Sequence, residues 1–153
     1  MNEPAPRIPW PSDFPEVIVH STVKLRDAHS AYRDAKSGDA SAALNLAVAL
    51  LDSDAVSDLK RLCRGRRTRL VPVVADETHG FNAIPDALAQ VLARVLGLKA
   101  DRGGIVQTNK VGHTRAPSFQ RLVTPPEFQG LVRRGSNYLL VDDHVGLGGT
   151  LAN

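Results

Sequence analysis

Cysteine is almost absent from this chain: Cys63 stands alone among 153 residues, so no internal disulfide and no multi-cysteine metal framework can form. Cys63 reads as a small apolar residue on a helix face. Long apolar runs are missing too. No stretch reaches the ~18 consecutive apolar residues of a membrane-crossing helix, and the N-terminus lacks the basic, apolar, small-residue order of a secretory signal. A cytoplasmic location is the resulting expectation. Aromatic residues make up only 5% of the chain, and none is interleaved with its densest run of cations, Lys60, Arg61, Arg64, Arg66, Arg67 and Arg69. That run has two readings: a phosphate or nucleic-acid patch, or a solvated helix end whose cations face the negative pole of the helix dipole. The missing aromatics count against base stacking there. His20, His29, His79 and His113 are scattered without the i, i+4 spacing of a helical metal pair, so no transition-metal site is implied.

What is present fits one globular domain with a real core, at 42% apolar residues. Residues 1–15 hold Pro4, Pro6, Pro9, Pro11 and Pro15, which remove backbone donors and make this an extended arm that Trp10 and Phe14 would pin to the body. Residues 16–69 read as an N-terminal helical layer or hood. Val17, Ile18 and Val19 predict a short strand. A weakly periodic helix over Val23 to Lys36 follows, stopping at Gly38. Asp39 then caps a helix with Ala43, Leu44, Ala47, Val48 and Leu51 on one face, and Asp52 and Ser53 cap a third helix marked by Val56, Leu59, Leu62 and Cys63.

Residues 70–153 read as an α/β core. Leu70 to Val74 predicts a buried strand, although Pro72 points to an edge or irregular position. A polar turn, Ala75 to Gly80, leads to a helix in which Ile84, Leu88, Val91, Leu92, Val95 and Leu96 recur at helical spacing, with Pro85 near its start and Gly97 near its end. Gly104 to Gln107 predicts the next strand, Thr108 to Pro117 a long polar connection, and Tyr138 to Val141 another apolar strand. Such alternation implies a mainly parallel sheet flanked by helices.

The strand Tyr138 to Val141 runs into Asp142, Asp143, His144, Val145, Gly146, Leu147, Gly148, Gly149 and Thr150. A strand of this kind delivers two carboxylates to the carboxyl edge of the sheet, where ligands of open α/β folds bind. The small residues let successive amides and the Thr150 hydroxyl surround a phosphate. Acids beside a phosphate cradle need another target, and vicinal sugar hydroxyls supply one. His144 reads more simply as a packing or hydrogen-bonding residue than as a catalytic one.

This segment resembles the 5-phosphoribosyl-1-pyrophosphate (PRPP) motif of type I phosphoribosyltransferases: four apolar residues, two acids, then a short loop closing in Gly-Gly-Thr. The resemblance implies that Asp142 and Asp143 hold the ribose hydroxyls and that Gly146, Leu147, Gly148, Gly149 and Thr150 hold the 5-phosphate. It also implies that Ala75, Asp76, Glu77, Thr78, His79 and Gly80 form a pyrophosphate loop. Lys110 and Arg115 would lie on a mobile loop that neutralises the departing pyrophosphate. Mg2+ would arrive mainly through PRPP and water, with Asp76, Glu77, Asp142 and Asp143 as its candidate contacts. Gly146 and Leu147 depart from the hydroxyl or acidic residue and the threonine that many members carry, which puts base specificity in doubt. The implied function is an enzyme of nucleotide metabolism, a pentosyltransferase moving phosphoribosyl from PRPP to a nitrogenous base with release of pyrophosphate. A PRPP-sensing or nucleic-acid-binding regulator on the same fold is the alternative, and a homodimer stays open. Because the family core continues through further strands, the C-terminal part of the core is expected to be missing and the chain to be inactive.

Overall fold

A computed structural model describes residues 12–13, 17–22, 29–74, 76–77, 80–102, 105–108 and 127–144. In chain order its elements are α1 (Tyr32–Lys36), α2 (Ala40–Ala49), α3 (Ser53–Cys63), β1 (Thr68–Pro72), β2 (Asp76–Glu77), β3 (Gly80–Phe81), α4 (Ile84–Leu96), β4 (Lys99–Ala100), β5 (Ile105–Gln107), β6 (Phe128–Gly130) and β7 (Asn137–Val141). The chain is a mixed α/β domain with a small parallel sheet flanked by helices. β1 is central, in the order β4-β1-β7, and pairs in parallel with both neighbours.

Local chemistry sets the helix ends. The Asp39 carboxylate accepts the amide hydrogen of Ala42 at 2.8 Å, and that of Asp52 accepts from Asp54 and Ala55 at 3.1 and 2.8 Å. Each satisfies donors that the first helical turn leaves unpaired. Gly97 ends α4 in the left-handed region at φ 66°, which glycine adopts without strain. Buried Asn82 accepts from the Ile84 amide at 3.2 Å, and so serves the start of α4 where Ala83 offers no side-chain cap.

A single core unites both halves of the sequence. Ala43, Leu46 and Ala47 of α2 pack with Ala87, Leu88, Ala89, Leu92 and Ala93 of α4, and this layer meets Leu70 and Val141 from the sheet. Registers Leu70 with Leu139 and Pro72 with Val141 put these four residues on one face, toward the helices.

Several expectations change. Residues 17–19 form no strand. Among the described residues, the first helix covers only Tyr32–Lys36. The buried face of α2 is Ala43, Leu46 and Ala47, with Leu44 and Val48 exposed, because this helix is apolar nearly all round and its periodicity does not select a side. In α4 the expected Ile84, Leu88 and Leu92 are buried, joined by the small residues Ala87, Ala89 and Ala93, whereas Val95 is exposed. Pro72 ends the central strand instead of sitting at an edge. The Val73 amide donates to Val141 O at 2.8 Å, while Leu70 O accepts from Asp101 on the other side. By alternation Pro72 faces that second side, where the β1–β4 register covers only Arg69 and Leu70, so its missing donor breaks no ladder bond. Gln107 belongs to a separate antiparallel pair, β5 with β6, and not to the parallel sheet.

Both ring nitrogens of His20 are buried without a hydrogen-bond partner. Burial lowers its pKa from 6.5, opposed by the Asp52 carboxylate. The unfolded chain therefore binds the extra proton more readily, and this residue withdraws stability as the pH falls below 6.5. Thermal melts of wild type and His20→Leu between about pH 8 and about pH 5 are expected to diverge, wild type losing ground toward acid. Parallel curves would remove His20 as the cause.

Candidate functional site

The sheet topology singles out one crevice. From β1 the chain crosses through α4 to β4 on one side, whereas β7 pairs on the other side of β1. The carboxyl ends of β1 and β7 lie side by side, and the carboxyl edge of a parallel sheet is where open α/β folds bind ligands. Asp142 and Asp143 follow β7 directly, and Val73 faces them from the end of β1.

The Asp143 amide donates to the Asp142 carboxylate at 2.8 Å. Asp143 Oδ2 in turn meets Lys36 Nζ at 2.8 Å, in an ion pair whose carboxylate side chain is only 8% exposed. Burial, then the neighbouring Asp143 charge, pushes the Asp142 carboxyl up to about 7, with Lys36 and the Asp143 amide pulling the other way. Two adjacent acids are thus offset by one lysine and, near neutrality, by a proton on Asp142. His144 is exposed.

Lys36 was not foreseen as a site residue. It lies 107 positions before its partner, and no spacing rule connects them. Its helix is placed by the backbone: the Ala83 amide donates to Ala35 O at 3.1 Å, seating α1 over the start of α4. Gly38, at φ 104°, follows; a Cβ there would stand 3.1 Å from Phe81 O, so the close approach favours glycine.

Other predicted positions fare differently. Asp76–Glu77 and Gly80–Phe81 pair antiparallel, Asp76 opposite Phe81 and Glu77 opposite Gly80, so Gly80 sits in a short hairpin and does not open directly into α4. Ala75, Thr78 and His79 lie outside the described residues, as do Lys110, Arg115, Gly146, Leu147, Gly148, Gly149 and Thr150. Among the described residues no three His, Cys, Asp or Glu side chains converge to hold a metal. An open cleft of about 470 Å3 lies on the β4 side of β1, lined by Leu44, Val74, Phe81, Asp86 and Arg102 among others, and does not include the paired acids. In it the Arg102 guanidinium grips Asp86 through two bonds of 2.8 and 2.7 Å.

Fold and site together define an α/β domain with acids at the carboxyl edge of a parallel sheet. The chain is 44% identical over 149 residues to Protein TraN of Escherichia coli, covering 97% of this chain and 33% of that protein. It is 38% identical over 147 residues to an uncharacterized protein of Haemophilus influenzae, covering 96% of this chain and again 33% of the relative. The chain therefore spans about a third of the length of these curated relatives. No protein-family profile matches it, and no solved structure does. Neither relative is described as a phosphoribosyltransferase. These comparisons overturn the expectation of phosphoribosyl transfer to a base, and with it the pentosyltransferase activity and the role in nucleotide metabolism. No described helix is long and apolar enough to cross a membrane.

Proposed function

We propose that this chain is a binding domain, without group transfer, for a phosphorylated pentose bearing vicinal hydroxyls, seated at the carboxyl edge between β1 and β7. One observation carries the reading: Asp142 and Asp143 follow β7 at the carboxyl edge of the parallel sheet, beside the end of β1, where open α/β folds bind ligands. The motif resemblance supplies the ligand class, with PRPP as its named member, and a phosphoribosyltransferase-like description of the fold rests on the same motif. Asp142 addresses a sugar hydroxyl. Asp143 positions the end of β7 through its ion pair with Lys36. Mg2+ would be carried by the ligand phosphates and water, neutralising their charge, with Asp142 as a candidate oxygen contact.

Calorimetric titration of PRPP with Mg2+ tests the reading. Asp142→Asn is expected to weaken binding about tenfold, or about 1.4 kcal/mol. Equal affinity in wild type and variant, or no heat with either, would count against the site.

A further inference from the structure

The opposite edge of the sheet carries a different chemistry. Because all three strands of the main sheet are parallel, their first residues line one edge, where segments distant in sequence meet. Arg66 and Arg67 lead into β1, and Arg133 and Arg134 occupy the turn that enters β7. The Asn137 amide donates to Arg67 O at 2.9 Å and fixes the two segments side by side. Arg64 closes α3 just before β1. Arg94 lies in the last turn of α4, which ends at this edge because the chain must next reach the start of β4 at Lys99.

These six arginines are exposed, and none has an acidic partner among the described residues. Nearby acids are taken: Asp58 pairs with Arg61, and Asp101 meets Arg69 at 3.8 Å. At the far edge Asp86 and Asp143 are paired with Arg102 and Lys36, so the uncompensated positive charge of the described residues gathers at the amino edge. Such a field turns the amino edge toward a polyanion.

We propose that this edge binds the phosphate backbone of a nucleic-acid duplex. Guanidinium forks suit phosphate oxygens, which take two parallel N–H donors. The Tyr138 hydroxyl accepts the Arg133 amide at 2.7 Å, so the aromatic residue at this edge is engaged in the turn. The surface therefore reads charge and shape through the backbone, not bases through stacking. Exposed Leu131 and Val132 stand beside Arg133, which makes an anionic lipid surface the competitor that the experiment must separate.

The test is fluorescence anisotropy with a labelled mixed-sequence duplex of about 20 base pairs, over a series of salt concentrations, beside co-sedimentation with phosphatidylglycerol vesicles. Arg66→Gln with Arg67→Gln, and Arg133→Gln with Arg134→Gln, are each expected to weaken duplex binding about tenfold and to flatten the salt slope by about 0.9 per lost phosphate contact. Arg33→Gln with Arg102→Gln removes the same charge from the opposite edge and should change affinity less than about twofold. Circular dichroism checks that each variant folds. The proposal is overturned if the control pair weakens binding as much as the edge pairs, if the edge pairs bind like wild type, or if vesicles bind where the duplex does not.

Discussion

Lys36→Met is expected to destabilise the domain by about 2 to 3 kcal/mol near pH 8 and by clearly less near pH 5. The lysine is the cation facing Asp143, whose side chain is 8% exposed, and Asp143 is itself adjacent to the partly buried Asp142. Removing it leaves two carboxyls packed together without the cation that faces them among the described residues, and breaking such a pair is costly. The pH dependence follows from Asp142. Its folded pKa is raised from 3.8 to about 7, so its favourable contribution is present below 3.8 and is withdrawn as the pH rises toward about 7. At pH 5 it already holds a proton in the folded state, and the missing lysine matters less. Urea denaturation at both pH values reads this out, with Lys36→Met/Asp143→Asn as the closing corner of a double-mutant cycle. The double variant should recover much of the loss. Equal losses at both pH values, or no recovery, would mean that Lys36 acts by something other than its charge.

Leu70→Ala is expected to cost about 3 kcal/mol. Leu70 is fully buried in the central strand, on the face it shares with Pro72, Leu139 and Val141. Truncation removes its burial and leaves a void that the rigid strand and α4 fill only in part. Leu44→Ala is the informative contrast, since Leu44 is 46% exposed on the rim of the cleft and its loss should fall within about 0.5 kcal/mol. Similar losses at both positions would contradict the assigned face of α2.

The contrast between these leucines marks where sequence reading stops. Capping chemistry was legible, because Asp39 and Asp52 act on amides two or three residues away. The α4 boundaries were legible from Pro85 and Gly97 for the same local reason. The buried side of α2 was not, since a helix apolar on every face needs its neighbours to choose one. Two-residue β4 and three-residue β6 were too short to leave a pattern. Asp142 and Asp143 could be placed at a strand end from their position after Tyr138 to Val141, whereas Lys36 belongs to a helix whose seat depends on the Ala35–Ala83 contact. The gathering of Arg67 and Arg133 likewise required the β1–β7 register. The enzymatic function was the larger error: Asp142 to Thr150 resembles one family's motif, and a resemblance of one segment does not fix an activity.

An amide NMR titration with PRPP and Mg2+ tests most directly whether a phosphorylated pentose seats between β1 and β7. Perturbations concentrated on Val73, Val74 and Val141 to His144, together with Lys36, are the predicted result. Perturbations confined to the cleft around Phe81 and Arg102, or to the arginine edge, with the ends of β1 and β7 unmoved, would contradict it.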